Sequence, residues 1–115
     1  MHMIEKNGRN IAVVDGSEQI QNTQDALDLM ATAKYVGDSH TLVIHKESFS
    51  EAFFDLKTCL AGDILQKFSN YRVQLAIVGD FSHYKSQALL DFIHECNKGT
   101  AIYWCKSLEE ALEVF

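Results

Sequence analysis

Two short runs, Ile11-Ala-Val-Val14 and Leu75-Ala-Ile-Val78, are apolar at every position. Successive side chains of a strand point to opposite faces, so an unbroken apolar run needs both faces of its sheet covered. That requirement selects helices packed against a mostly parallel sheet and disfavours a sheet with one face in water.

The remaining punctuation comes from glycines and caps, because the chain contains no proline. Residues 1–6 and 10–14 flank Asn7-Gly8, a pair suited to the positive φ angles of a tight hairpin. The first of these strands is short and polar, as an edge strand should be. A helix is expected over residues 23–36, burying Ala26, Leu27, Met30 and Ala33, with Gly37 as its C-terminal cap. Residues 41–45 read as a strand, followed by a long helix that Asp55 would cap. Residues 72–78 form the next strand, and Gly79-Asp80-Phe81-Ser82 turns out of it. A helix over 86–97 turns Leu89, Phe92, Ile93 and Cys96 inward and stops at Gly99. After a strand at 100–105, Ser107-Leu-Glu-Glu110 has capping-box spacing and opens a final helix. The expected order is ββαβαβαβα. It gives one α/β domain over 1–115: a mostly parallel sheet of four or five strands, an N-terminal hairpin and about four helices.

At 115 residues, 47% of them apolar, the chain has enough material for a core without staples. A net charge of −6 argues against nucleic acid and against anionic membrane surfaces, both of which need a surplus of Lys and Arg. No apolar run reaches transmembrane length. The opening MHMIEKNGRN lacks the basic and apolar regions of a signal peptide. Cys59, Cys96 and Cys105 form no C-x-x-C pair, which fits a reducing cytoplasm better than a disulfide framework.

The misfit in the pattern is Lys57. Phe53, Ile64, Leu65 and Phe68 share one arc of a helix around Leu60, and Lys57 falls within it. A lysine aimed at a core is costly unless paired, so Lys57 is expected to make a buried or half-buried ion pair with Asp55, Asp80 or an incoming anion. The plainer alternative is a helix that starts near Thr58, with Lys57 laying its stem across Phe53 or Phe54. Asp80 is either a base or ion-pair partner, or it tightens its own turn. His45 and His83 lie near the ends of predicted strands, where acid–base work with Asp80 and Lys57 is conceivable. No nucleophile elbow, phosphate loop or dinucleotide fingerprint is present, and no His/Cys pair has zinc spacing. No catalytic residue, metal or cofactor is therefore assigned. Asn70-Tyr71-Arg72, with Gln66-Lys67, offers a cationic patch. It reads as a helix end suited to its dipole or as a docking surface, since Tyr and Arg are favoured anchors.

The segment FFDLKTCLAGDILQKFSNYRVQLAIVGDF, with the later DFIHECNKG, resembles a bacterial family known as a domain of unknown function, number forty-one eighty. A weaker resemblance, in element order and length, is to STAS domains of anti-sigma-factor antagonists and anion-transporter tails. There an Asp-Ser-Ser-Gly-type helix start carries a phosphorylated hydroxyl. Asp55-Leu-Lys-Thr58 occupies the corresponding place here; Asp55 matches and Thr58 takes the place of a hydroxyl, while Leu56 and Lys57 depart from the pattern. The resemblance implies a non-catalytic, regulatory or protein-interaction domain of a bacterial cytoplasm, monomeric or homodimeric, that docks a protein partner around Asp55, Lys57 and Thr58. The alternative is a small enzyme or metabolite-binding protein with its site at the strand ends around Lys57 and Asp80.

Overall fold

The computed structural model describes residues 1–115. Five strands and four helices follow in the order β1 (His2–Lys6), β2 (Arg9–Val14), α1 (Thr23–Gly37), β3 (Thr41–His45), α2 (Leu60–Asn70), β4 (Gln74–Val78), α3 (Gln87–Lys98), β5 (Ile102–Cys105) and α4 (Leu108–Val114). Three 3-10 turns, Lys46–Ser48, Glu51–Phe54 and Leu56–Thr58, fill the stretch between β3 and α2.

The expected mostly parallel sheet is a mixed one. β1 pairs antiparallel with β2 through the Asn7-Gly8 turn, both residues of which have positive φ (53° and 80°). β2–β3, β3–β4 and β4–β5 pair in parallel, and the spatial order is the sequence order, β1-β2-β3-β4-β5. Order decides which face the helices take. Parallel crossovers are right-handed, so three successive crossovers in one direction place all three helices on the same side.

The packing follows that rule. Ala12, Val14, Leu42, Ile44, Leu75, Ile77, Ile102 and Trp104 join α1, α2 and α3 in a core of 22 buried residues. The alternate positions, Ile11, Val13, Val43, Ala76, Val78 and Cys105, have α4 as their only helical cover, through Ala111 and through Phe115, which follows the helix. The two-sided cover that the apolar runs demand is thus very unequal. The seven-residue α4 is held down by cations on the hairpin: Lys6 donates to the Leu112 carbonyl, and Arg9 donates to the Phe115 backbone oxygen at 2.9 Å. Both acceptors lie at the negative end of the α4 dipole.

Boundaries moved where the chain turned left-handed. α1 runs through Gly37 and is capped by Asp38 (φ 49°), whose N–H donates to the Ala33 and Lys34 carbonyls. Leu29 is buried on α1 in place of Leu27, which is half-buried. α2 starts at Leu60 because Cys59 adopts φ 62°, a conformation that interrupts helical periodicity. Asp55 caps the short turn before it, accepting from the Lys57 N–H at 3.1 Å. β4 starts at Gln74 because Arg72 is also left-handed, φ 56°. No helix is long and apolar enough to cross a membrane.

Candidate functional site

The residues singled out by sequence gather loosely at the C-terminal edge of the sheet and do not converge. Lys57 sits in the Leu56–Thr58 turn, exposed, and none of the ion pairs includes it. The expected buried ion pair is therefore absent. The break at Cys59 takes residues 56–58 out of the α2 register and turns Lys57 away from the arc that buries Ile64, Leu65 and Phe68. The Thr58 hydroxyl reaches the Ala52 and Asp55 carbonyls at 2.6 and 2.8 Å and receives the Leu60 N–H at 3.3 Å, closing the turn.

Asp80 tightens its own turn, accepting from the Ser82 N–H at 2.9 Å. That bonding to Ser82 holds its carboxyl below the ordinary value, with smaller attractions from His83 and Lys46. His45 is half-buried, its Nδ1 lying 3.0 Å from the Val14 carbonyl. His83 is exposed, its ring 4.2 Å from that of Tyr84. The lysine that reaches Asp80 is Lys46, whose ammonium donates to the Asp80 carbonyl at 2.9 Å and lies 5.8 and 5.4 Å from the Phe81 and Tyr84 ring centres. Asp80, His45 and Lys46 are engaged by their immediate neighbours, while Lys57 and His83 are exposed and make no side-chain hydrogen bond, so these groups do not assemble into one acid–base cluster.

Polar groups do converge at the opposite edge, where β2, β3 and β4 begin. A cleft of about 370 Å³ is lined wholly by polar residues and glycine, among them Arg9, Asn10, Asp38, His40, Arg72 and Gln74. The turns that feed it explain its composition. The hairpin delivers Arg9, the left-handed Asp38 lifts His40 to the start of β3, and the left-handed Arg72 swings the chain from α2 into β4. Gln74 holds Arg9 in place. Its Oε1 accepts from Arg9 at 3.3 Å while its Nε2 donates to the Thr100 carbonyl at 2.9 Å.

The electrostatics are one-sided. The chain has only two arginines, at positions 9 and 72, and both line this cleft. Neither pairs with a carboxylate. Asp38, the one acid present, is already engaged: the Lys34 ammonium beside it pulls its carboxyl below the usual value, and His40 adds a smaller attraction.

His40, with Lys34 and Ser39, also lines a second, mainly apolar cleft of about 400 Å³ walled by Leu27, Met30, Ala31, Val73 and Tyr71. The Ser39 hydroxyl, buried, is satisfied by the Asn10 and Thr41 carbonyls at 2.8 and 2.9 Å. A guanidinium pair binds carboxylate or phosphate through forked hydrogen bonds, and because it stays protonated it offers binding chemistry and no proton transfer. Of the patch expected at Asn70-Tyr71-Arg72 with Gln66-Lys67, Arg72 lines the first cleft and Tyr71 the second. Arg9 and His40 were not anticipated; the one signal that could have found Arg9 is that arginine occurs only twice. No group of His, Cys, Asp or Glu is arranged to hold a metal ion.

The family model for the Domain of unknown function (DUF4180) matches residues 6–115, and the chain belongs to that family. No curated protein and no solved structure matches it, so the STAS likeness is without a counterpart among them.

Proposed function

We propose that this member of the DUF4180 family is a non-catalytic regulatory domain that docks an anionic group of a protein partner on the cleft between Arg9 and Arg72. The observation that carries the reading is the meeting of the chain's two arginines in one cleft, neither paired with a carboxylate, in a protein whose net charge is −6. Local cationic charge on an acidic protein steers acidic partners to that spot. A non-catalytic role is supported by the local engagement of His45 and Asp80, and a bacterial cytoplasmic setting by three free thiols.

The test is a titration of ¹⁵N-labelled protein with a hexaglutamate peptide at low salt. The amide signals of Arg9, Asn10, His40, Arg72 and Gln74 should move. Added salt should suppress the movement, and Arg72→Gln should abolish it. Shifts confined to residues 55–58 would move docking to that turn, and no shift anywhere would refute the reading.

A further inference from the structure

On α1, Leu27, Ala31 and Tyr35 recur every four residues and form one stripe. The apolar cleft opens beside this stripe, with Met30 and Val73 as its deeper walls and Tyr71 at its α2 end. Tyr35 is 91% exposed and Tyr71 62% exposed, so two aromatic rings stand in water in this region. Such exposure, beside an apolar groove, is characteristic of a surface that awaits a partner.

The occupant is constrained by charge and by adjacency. His40 lines the polar and the apolar cleft alike, so a single ligand reaches both over a short span. At the polar end Arg9 is held by Gln74 and the Phe115 backbone oxygen, the Arg72 guanidinium has no carboxylate partner, and Asp38 is ion-paired with Lys34, which leaves the site complementary to acid. At the apolar end the groove has room for a large side chain.

We infer, building on the anion-docking reading above, that the partner presents an extended protein segment carrying an acidic side chain and a large apolar side chain a few residues apart. The carboxylate takes the arginine pair, with Arg72 as its principal contact. The apolar side chain enters the groove between α1 and the C-terminal end of α2. A strand advances about 3.3 Å per residue, so spacings of one to four residues sample separations up to about 13 Å.

The experiment measures fluorescence anisotropy with labelled decapeptides in a Gly/Ser background. One carries Glu-Glu, one carries Leu-Phe, and a set carries both at spacings of one to four. One spacing should bind at least about tenfold more tightly than either half, since the second contact becomes intramolecular. Arg72→Gln should reduce that peptide to the Leu-Phe level. Ala31→Trp, an exposed change that fills the groove, should reduce it to the Glu-Glu level. Both variants are checked for an unchanged circular-dichroism spectrum. If Glu-Glu alone matches the two-part peptides at every spacing, the segment inference fails while the anion cleft stands. If Leu-Phe alone matches them and Arg72→Gln changes nothing, both readings fail. If decanoate outcompetes the best two-part peptide at equal concentration, the occupant is a small amphiphile and the segment inference is overturned.

Discussion

Arg9 donates one arm of its guanidinium to the Phe115 backbone oxygen at 2.9 Å and the other to Gln74 Oε1 at 3.3 Å. One side chain therefore ties the polar cleft to α4, the only helix that covers the second face of the sheet. Beneath α4 lies Cys105, 4% exposed.

Arg9→Gln removes the charged donor at the end of α4, at a cost of about 1 kcal/mol for a bond of this type. α4 should open more often, and a thiol reagent should label Cys105 about fivefold faster, because labelling passes through local opening. The measurement uses a Cys59→Ser, Cys96→Ser background so that Cys105 is the reporter. Unchanged protection would show that apolar packing alone holds α4.

Gly79 supports Lys46. A Cβ at position 79 would meet Lys46 Cδ, Cγ and Cβ at 2.5, 2.7 and 2.9 Å. The outer carbons can swing aside, but the Cβ is fixed by the backbone. Gly79→Ala should therefore push the ammonium off the Asp80 carbonyl and away from the Phe81 and Tyr84 rings. The expected loss is about 1–2 kcal/mol, combining overpacking with a lost charged hydrogen bond. Urea unfolding measures it, and a midpoint equal to wild type would mean that Lys46 relaxes freely.

What the sequence showed well was local. Asn7-Gly8 specifies a hairpin by its own φ preferences. β3 was placed residue for residue, and Ser107 caps α4 with the expected bond to the Glu110 N–H. What it hid was tertiary or stereochemical. Nothing in the composition states that the strands lie in sequence order, so the burial of α1, α2 and α3 on a single face was not readable. Nothing in the side chain of Cys59 or Arg72 announces a left-handed backbone, yet these two positions set the starts of α2 and β4. The Lys57 misfit arose from that blind spot, since the arc assumed one continuous helix. The site was half legible. Tyr71-Arg72 stood out, but its neighbour Arg9 lies 63 positions away (72 − 9) and is brought in by the sheet.

Lys57 and Thr58 separate surface from structure within one turn. Lys57→Glu alters an exposed, unpaired side chain and should change stability by less than about 0.5 kcal/mol. Thr58→Val removes a hydroxyl that serves the Ala52 and Asp55 carbonyls, and should cost about 1 kcal/mol. Thermal melts of the two variants side by side read the difference. A large loss in Lys57→Glu would restore a hidden partner for that lysine.

Cys105 makes the fold sensitive to alkali. Burial raises its thiol to about 11, with a further push from the Glu110 carboxylate. An unfolded cysteine ionises near the ordinary value of about 8.5. The folded state therefore holds the proton more tightly than the unfolded state. The associated stability is fully present below about pH 8.5 and is lost as pH rises from there toward 11. The shift corresponds to at most about 3.5 kcal/mol at the upper end of the window, at about 1.4 kcal/mol per pH unit. Wild type should lose stability over this range more steeply than Cys105→Ala, which gives up some packing at every pH but has no thiol to ionise. The difference between the two urea midpoints, followed from pH 8 to 11, isolates the thiol from the lysines and tyrosines that titrate in both. A constant difference would mean that Cys105 ionises as readily in the folded state as in the unfolded one, and that α4 gives it no shelter.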